Sequence, residues 1–273
     1  MINIVYCGNA GIFKGIAMSL LSAQENTSEP LSVAILTGDF TNINPRFLPF
    51  NETQRSVLEK ALKSKNSQSS IRVVDVTGPF NREMAGSPNC QSSYTPYTLL
   101  RLFLDELPEV PDKLLYLDAD TIVMKDLASL FFLDLGTNYC AWVLDRYGHL
   151  LINSSYCNAG VILLNIPLLK KDGVFASCRA LLRKKKWSFP DQDVLNRVAK
   201  GHKLILTREF NEQKGLRTDT VIRHYCNQPR IFPYVHAMVA KPWDIERIHQ
   251  VYKTTVHDAL HEECRLLWRS LEK

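Results

Sequence analysis

A chain of 273 residues with 45% apolar side chains has room for one large α/β domain or two small ones, and its composition is that of an ordinary globular protein. The formal charge of +5 is mild: it suits an anionic substrate or a negatively charged membrane surface and is too weak to indicate nucleic-acid binding. Seven cysteines, odd in number and without a CxxC pair, argue against a zinc site or a disulfide framework and point to reduced thiols in the cytoplasm. No apolar run approaches the roughly 20 residues of a membrane-spanning helix, and the N-terminus opens directly on a strand pattern, without the features of a signal peptide.

In chain order, Ile2 to Cys7 reads as the first strand. Gly8-Asn9-Ala10-Gly11 follows, small residues that let the backbone approach a ligand. A helix is expected over 12–21, a second strand over 31–37, a loop over 38–50, a surface helix over 52–63 and a third strand over 71–76. Residues 78–95 read as loop, and Pro96 opens a helix running to Glu106 with Arg101 able to reach the sheet edge. A strand is expected over 113–117, a short helix over 126–132, and strands over 140–144 and 161–165. A long helix over 168–186 ends in Arg183-Lys184-Lys185-Lys186, where basic residues favour the helix dipole and read as a solvated end. Pro190 starts the next helix, two short strands follow over 204–207 and 221–224, and Val256, Leu260, Cys264, Leu267 and Leu271 form a helical stripe. Alternating strands and helices predict an α/β fold with a mostly parallel sheet covered by helices on both faces. One domain over 1–273, with 245–273 as a small C-terminal helical appendage, is the simplest account.

The chemistry concentrates in Lys113-Leu114-Leu115-Tyr116-Leu117-Asp118-Ala119-Asp120. A buried strand runs into two carboxylates spaced i, i+2, which face one side at the carboxyl edge of the sheet, where open α/β folds bind ligands. Two like charges held together call for a cation, and a hard divalent ion fits oxygen ligands. The competing structural reading is a turn or helix-capping aspartate. Asn9, Asp145, Asn158 and His224 also fall at ends of predicted strands.

The chain resembles glycosyltransferase family 8, retaining galactosyl- and glucosyltransferases that include bacterial lipopolysaccharide enzymes. The resemblance rests on the Asp-x-Asp strand, then Asn158-Ala159-Gly160-Val161, Asp191-Gln192-Asp193-Val194-Leu195-Asn196, His224-Tyr225-Cys226 and Lys241-Pro242-Trp243, in family order, with the helix containing Arg101. It implies a GT-A (Rossmann-like) fold, a UDP-galactose or UDP-glucose donor, bound Mn²⁺ and a glycan acceptor of the cell-surface polysaccharide or lipopolysaccharide type. By that resemblance Asp118, Asp120 and His224 are the metal ligands, with His236 as a competitor for the histidine place, and Lys241 meets the diphosphate. Arg101, Asn158 and Asp191 hold the donor sugar, and Gln192 lies beneath the anomeric carbon. Tyr6, Cys7, Asn9 and Ala119 complete the donor side, although Gly8-Asn9-Ala10-Gly11 departs from the acidic run common in the family. The expected setting is the cytoplasmic side of a membrane. The last helix offers Arg265, Trp268, Arg269 and Lys273 for a weak anionic-surface contact, against the simpler reading of a packed helix. Two rivals are a non-catalytic nucleotide-sugar-binding relative and an Asp-x-Asp phosphohydrolase of the haloacid-dehalogenase type; the latter carries its motif near the N-terminus and adds a Gly-Asp-x-x-x-Asp that this chain lacks.

Overall fold

Strands form where apolar residues run continuously, and helices form where they recur every three to four positions. The structure, a computed structural model, describes residues 1–90, 94–230 and 236–271. In order the elements are β1 (Ile2–Cys7), α1 (Phe13–Asn26), β2 (Leu31–Thr37), α2 (Glu52–Lys65), β3 (Ser70–Asp75), α3 (Thr77–Met84), a 3-10 segment (Pro96–Glu106), β4 (Lys113–Leu117), β5 (Thr121–Val123), α4 (Ala128–Phe131), β6 (Cys140–Leu144) and α5 (Gly148–Leu151). There follow β7 (Cys157–Asn165), α6 (Ile166–Lys171), α7 (Val174–Lys184), α8 (Pro190–Val198), β8 (Lys203–Leu206), β9 (Ile222–His224), β10 (Gln228–Arg230), β11 (His236–Met238), α9 (Ile245–Tyr252) and α10 (Asp258–Ser270).

Seven strands make one sheet in the order β3-β2-β1-β4-β7-β6-β8. β1 to β4 run parallel, β7 runs antiparallel to both β4 and β6, and β8 is parallel to β6. Alternate residues of β1 serve opposite faces: Ile2, Ile4 and Tyr6 enter the core shared with α1, α2 and α10, while Val5 enters the one shared with the 3-10 segment, α7 and α8. Both faces are therefore covered, as the apolar strands predict.

Several local expectations change. The stretch read as loop holds α3; Gly78 and Pro79 disguise its first turn, where proline is tolerated. The helix read over 168–186 is two helices, broken at Gly173, whose φ of +60° is open to glycine at little cost. The helix from Pro96 is wound as 3-10, and Leu99 to Leu104 are all buried, so it lacks the exposed face of an amphipathic helix. α2 carries a capping box between Asn51 and Gln54. In α10, Leu260, Cys264 and Trp268 are buried in the α1 core. Trp268 is thus removed from any surface, and Arg265 is paired with Glu262; Lys273 lies outside the described residues.

Candidate active site

The site forms where chain direction reverses after β4. Asp118 lies just beyond the strand, and its peptide N–H donates to the Gly160 carbonyl on the neighbouring β7 at 2.8 Å. The chain then turns into β5, which pairs antiparallel with β9 so that Thr121 lies opposite His224. The Tyr225 N–H donates to the Asp120 carbonyl at 2.9 Å. A two-strand ribbon, of which the sequence indicates the strand over 221–224 but not its pairing, thereby carries a histidine from residue 224 to the Asp-x-Asp turn.

Asp118, Asp120 and His224 each offer one ligand atom, all within 4.8 Å of one another. His224 Nε2 lies 3.2 Å from Asp120 Oδ1 and 3.7 Å from Asp118 Oδ2. The Lys241 ammonium lies 2.5 Å from Asp120 Oδ2 and donates to the Tyr225 carbonyl at 3.1 Å. Burial opposes the Asp120 charge, but Lys241 and then His224 outweigh it and hold the carboxyl far below the usual carboxylate range. Asp118 is held from the other side: Arg101 donates to Oδ1 at 2.9 Å, and the Tyr116 hydroxyl donates to the same oxygen at 2.5 Å. Arg101, 3% exposed, also donates to the Ala159 carbonyl at 2.5 Å and lies 3.4 Å from Asp191 Oδ2. Burial pushes the Asp191 carboxyl up, only partly countered by Arg101.

Glycine is needed here for space. A Cβ on Gly160 would stand 2.1 Å from Cε1 of His224, so the Asn-Ala-Gly segment gives the imidazole its seat. On α1, a Cβ on Gly15 would meet the Trp243 ring at 2.6 Å and the Ala119 carbonyl at 2.8 Å, which explains how Lys241-Pro242-Trp243 closes over the turn.

Behind His224 a polar chain fixes which imidazole nitrogen faces the carboxylates. Asn158 donates through Nδ2 to Asp145 Oδ2 at 3.0 Å, and its Oδ1 accepts the Gly160 N–H at 3.0 Å. That oxygen also accepts Asn211 Nδ2 at 3.0 Å. Asn211 is then left with Oδ1, an acceptor, 3.1 Å from His224 Nδ1, so Nδ1 must carry the proton. With Nδ1 committed to its proton, Nε2 is the nitrogen through which His224 can bind a metal beside Asp118 and Asp120. The donor set of two carboxylate oxygens and one imidazole nitrogen fits a divalent cation.

The other expected residues distribute unevenly. Gln192 accepts the Ala159 N–H at 2.9 Å and donates to Asp145 Oδ2 at 3.3 Å, which joins α8 to the same network. Cys7 is half-buried, and burial, opposed by Arg101, pushes its thiol up to about 12. Asn9 turns the chain after β1 and bridges to Pro49 through its backbone. Tyr6 does not present its side chain to this edge: it is fully buried, and its hydroxyl is bonded to Ser19 at 3.0 Å. The reason is strand alternation, which turns Tyr6 toward α1. The side chain of the competing His236 lies outside the described residues. Asn211, at the end of a 3-10 turn, lies in no motif, and the hydrogen-bonding roles of Tyr116 and Asp145 are not indicated by theirs.

A strand-end carboxylate pair, a buried histidine and a lysine on an α/β sheet form a site of the kind that can hold a divalent cation at the sheet edge. The chain belongs to glycosyl transferase family 8, whose model matches residues 3–246. The solved structure of the galactosyltransferase LgtC in complex with donor and acceptor sugar analogs superposes with a TM-score of 0.70 at 22% identity, over 96% of this chain and 95% of that one, and fixes the fold as GT-A. The glycosyltransferase GlyE of Streptococcus pneumoniae TIGR4 gives a TM-score of 0.67 at 21% identity, covering 96% of this chain and 63% of its own. A lipopolysaccharide 1,2-glucosyltransferase of Escherichia coli K12 is 26% identical over 172 residues, 56% of this chain and 51% of that protein. This chain thus spans about half the length of that relative. Among the described residues no helix is long and apolar enough to cross a membrane.

Proposed function

We propose that the protein is a retaining, metal-dependent transferase that moves a hexose, galactose or glucose, from a UDP-sugar to a glycan acceptor of the cell-surface polysaccharide or lipopolysaccharide type. The observation that carries this reading is the convergence of Asp118, Asp120 and His224 beside Lys241 at the carboxyl end of β4. These three side chains would hold the cation, and their mixed oxygen and imidazole donors suit Mn²⁺. When bound, it supplies Lewis-acid stabilisation of the departing diphosphate.

The remaining steps belong to the chain's own groups. Lys241 exchanges its contact with Asp120 for the diphosphate, neutralising charge as the sugar–phosphate bond breaks. Cys7, Asn9 and the Ala119 backbone border the uridine, with Tyr6 as packing beneath them. Arg101 is too buried to do more than hold Asp118 and Asp191, which with Asn158 flank the donor sugar. Gln192 lies beneath the anomeric carbon, and its amide is a poor nucleophile. The acceptor hydroxyl therefore attacks on the face the diphosphate leaves: the electron pair of the broken bond stays on UDP, the new glycosidic bond forms, and a diphosphate oxygen takes the hydroxyl proton. No glycosyl adduct on Asp191 is expected by mass spectrometry after incubation with donor; finding one would contradict the front-face path.

We read residues 1–273 as one transferase domain whose C-terminal helical part is 245–273, working on the cytoplasmic side of a membrane. The E. coli relative's lipopolysaccharide activity supports the acceptor class. The test is UDP release from UDP-galactose and UDP-glucose with Mn²⁺, with Mg²⁺ and with chelator. Turnover of one donor that depends on Mn²⁺ is expected; release from neither donor under every condition would contradict the assignment.

A further inference from the structure

Beside α8, on the side away from Asp191, a cavity of about 520 Å³ is bordered by Ile152, Tyr156, Trp187, Arg197, Lys200 and Lys203. Its charge is one-sided. Asp193 also lines it, but its oxygens already accept the Tyr156 hydroxyl at 2.6 Å and the Phe189 N–H at 2.9 Å. Lys203 donates to the Ser155 carbonyl and Asn196 Oδ1, lies over the Trp142 ring, and has no carboxylate partner among the described residues. Arg197 and Lys200 are exposed and form no ion pair among the described residues. Lys184, Lys185 and Lys186 are likewise exposed and unpaired, and the Lys185 ammonium sits 4.0 Å from the centre of the Trp187 ring, which ties that basic run to the cavity rim. Arg183, one residue before this run, is instead paired with Glu83.

Next to these cations stands the most exposed apolar stretch of the described surface. Leu150, Leu151 and Ile152, at the end of α5, are 74%, 81% and 53% exposed, and Phe189 is 41% exposed. Water-facing leucines in sequence are costly without a partner surface, and basic residues around them choose its sign. We propose that this face, from α5 across the cavity to the basic end of α7, docks the protein on an anionic lipid bilayer. Leu150, Leu151 and Ile152 enter the interface, Trp187 lies at headgroup depth, and the five unpaired cations meet the lipid phosphates. Asp145 accepts the Gly148 N–H at the start of α5 and Gln192 Nε2 from α8, so the docking face adjoins the candidate site. The last helix does not take part, because Trp268 is buried and Arg265 is paired.

The test is co-sedimentation of the 273-residue chain with phosphatidylglycerol or phosphatidylcholine vesicles, read without any activity, so that its failure leaves the transferase reading untouched. Wild type should pellet with the anionic vesicles, be released by salt, and bind the neutral ones far less. Each lysine near the surface contributes about fivefold in partitioning, so Lys184→Gln, Lys185→Gln and Lys186→Gln together should weaken anionic binding by about 100-fold. Leu150→Ser with Leu151→Ser should weaken it with the cations intact; all five positions are exposed, and an unchanged melting curve checks that the fold is kept. Arg265→Gln with Arg269→Gln should leave it unchanged. Equal binding to both vesicle types, no binding, or loss only in the Arg265 and Arg269 pair would overturn the proposal. So would a dimer in sedimentation velocity that the leucine substitutions dissociate, since a second copy would then cover this face.

Discussion

Two arginines, each 3% exposed, show how similar ion networks serve different ends. Arg179 donates to Glu83 at 2.8 Å, Asp105 at 2.6 Å, Glu106 at 3.2 Å and the Leu102 carbonyl at 2.5 Å, pinning α7 to α3 and the 3-10 segment. Every carboxylate it meets is spent on tying elements together. Arg101 uses the same chemistry on Asp118, Asp191 and the Ala159 carbonyl, yet Asp118 keeps its second oxygen for the His224 corner. The first network is closed by protein; the second is left open at the sheet edge. Buried charge alone therefore does not mark a site, and an oxygen left facing other donors does.

The largest expected effect lies in the closed network. Arg179→Ala strands Asp105, leaves Glu83 and Glu106 with Arg183 and Arg82 alone, and should cost about 3 kcal/mol of stability in chemical denaturation, while the midpoint of UDP binding stays at the wild-type value. A change in UDP affinity as large as the stability loss would break the distinction between the two networks.

His257 sharpens the comparison from behind the site. It is buried and its Nε2 lies 2.5 Å from the Tyr225 hydroxyl; burial, then Arg223, lowers its pKa to about 4 from 6.5. A histidine held neutral on folding stabilises fully above its unfolded pKa, and this stability is lost as pH falls from 6.5 toward 4. The loss reaches about 3 kcal/mol at most, since each pKa unit is about 1.4 kcal/mol. Denaturation midpoints of His257→Gln across that range should fall less steeply than those of wild type.

A smaller effect is expected at Asn211. Asn211→Ala removes the acceptor that sets the His224 tautomer and should weaken Mn²⁺ affinity about 10- to 100-fold by calorimetry, with Asn211→Asp restoring much of it. Unchanged affinity would mean that the orientation of His224 is set by Gly160 alone.

The open network was largely legible and the closed one was not. Asp118, Asp120, Arg101, Asn158, Asp191, Gln192, His224 and Lys241 stand in short ordered motifs, and the structure gathers them at one sheet edge. Asn211 has no motif around it, because its role is set by a partner thirteen residues away across a turn. The Tyr6 side chain turns to α1 because proximity to a strand end says nothing of which face a residue serves. α3 and the break at Gly173 escaped because a proline in a first helical turn and a glycine between two helices look alike to periodicity, whether they end a helix or adorn one.

The most direct test of the central claim is a thermal-shift titration with UDP, with and without Mn²⁺, on wild type and Asp120→Asn. Ligand at 100 times its dissociation constant adds about 2.7 kcal/mol, on the order of 5–10 °C for a chain of this size. The account predicts a shift of that size in wild type that requires Mn²⁺ and disappears in Asp120→Asn. An equal shift in both proteins, or none in wild type, would contradict a nucleotide–metal site built on Asp118, Asp120 and His224.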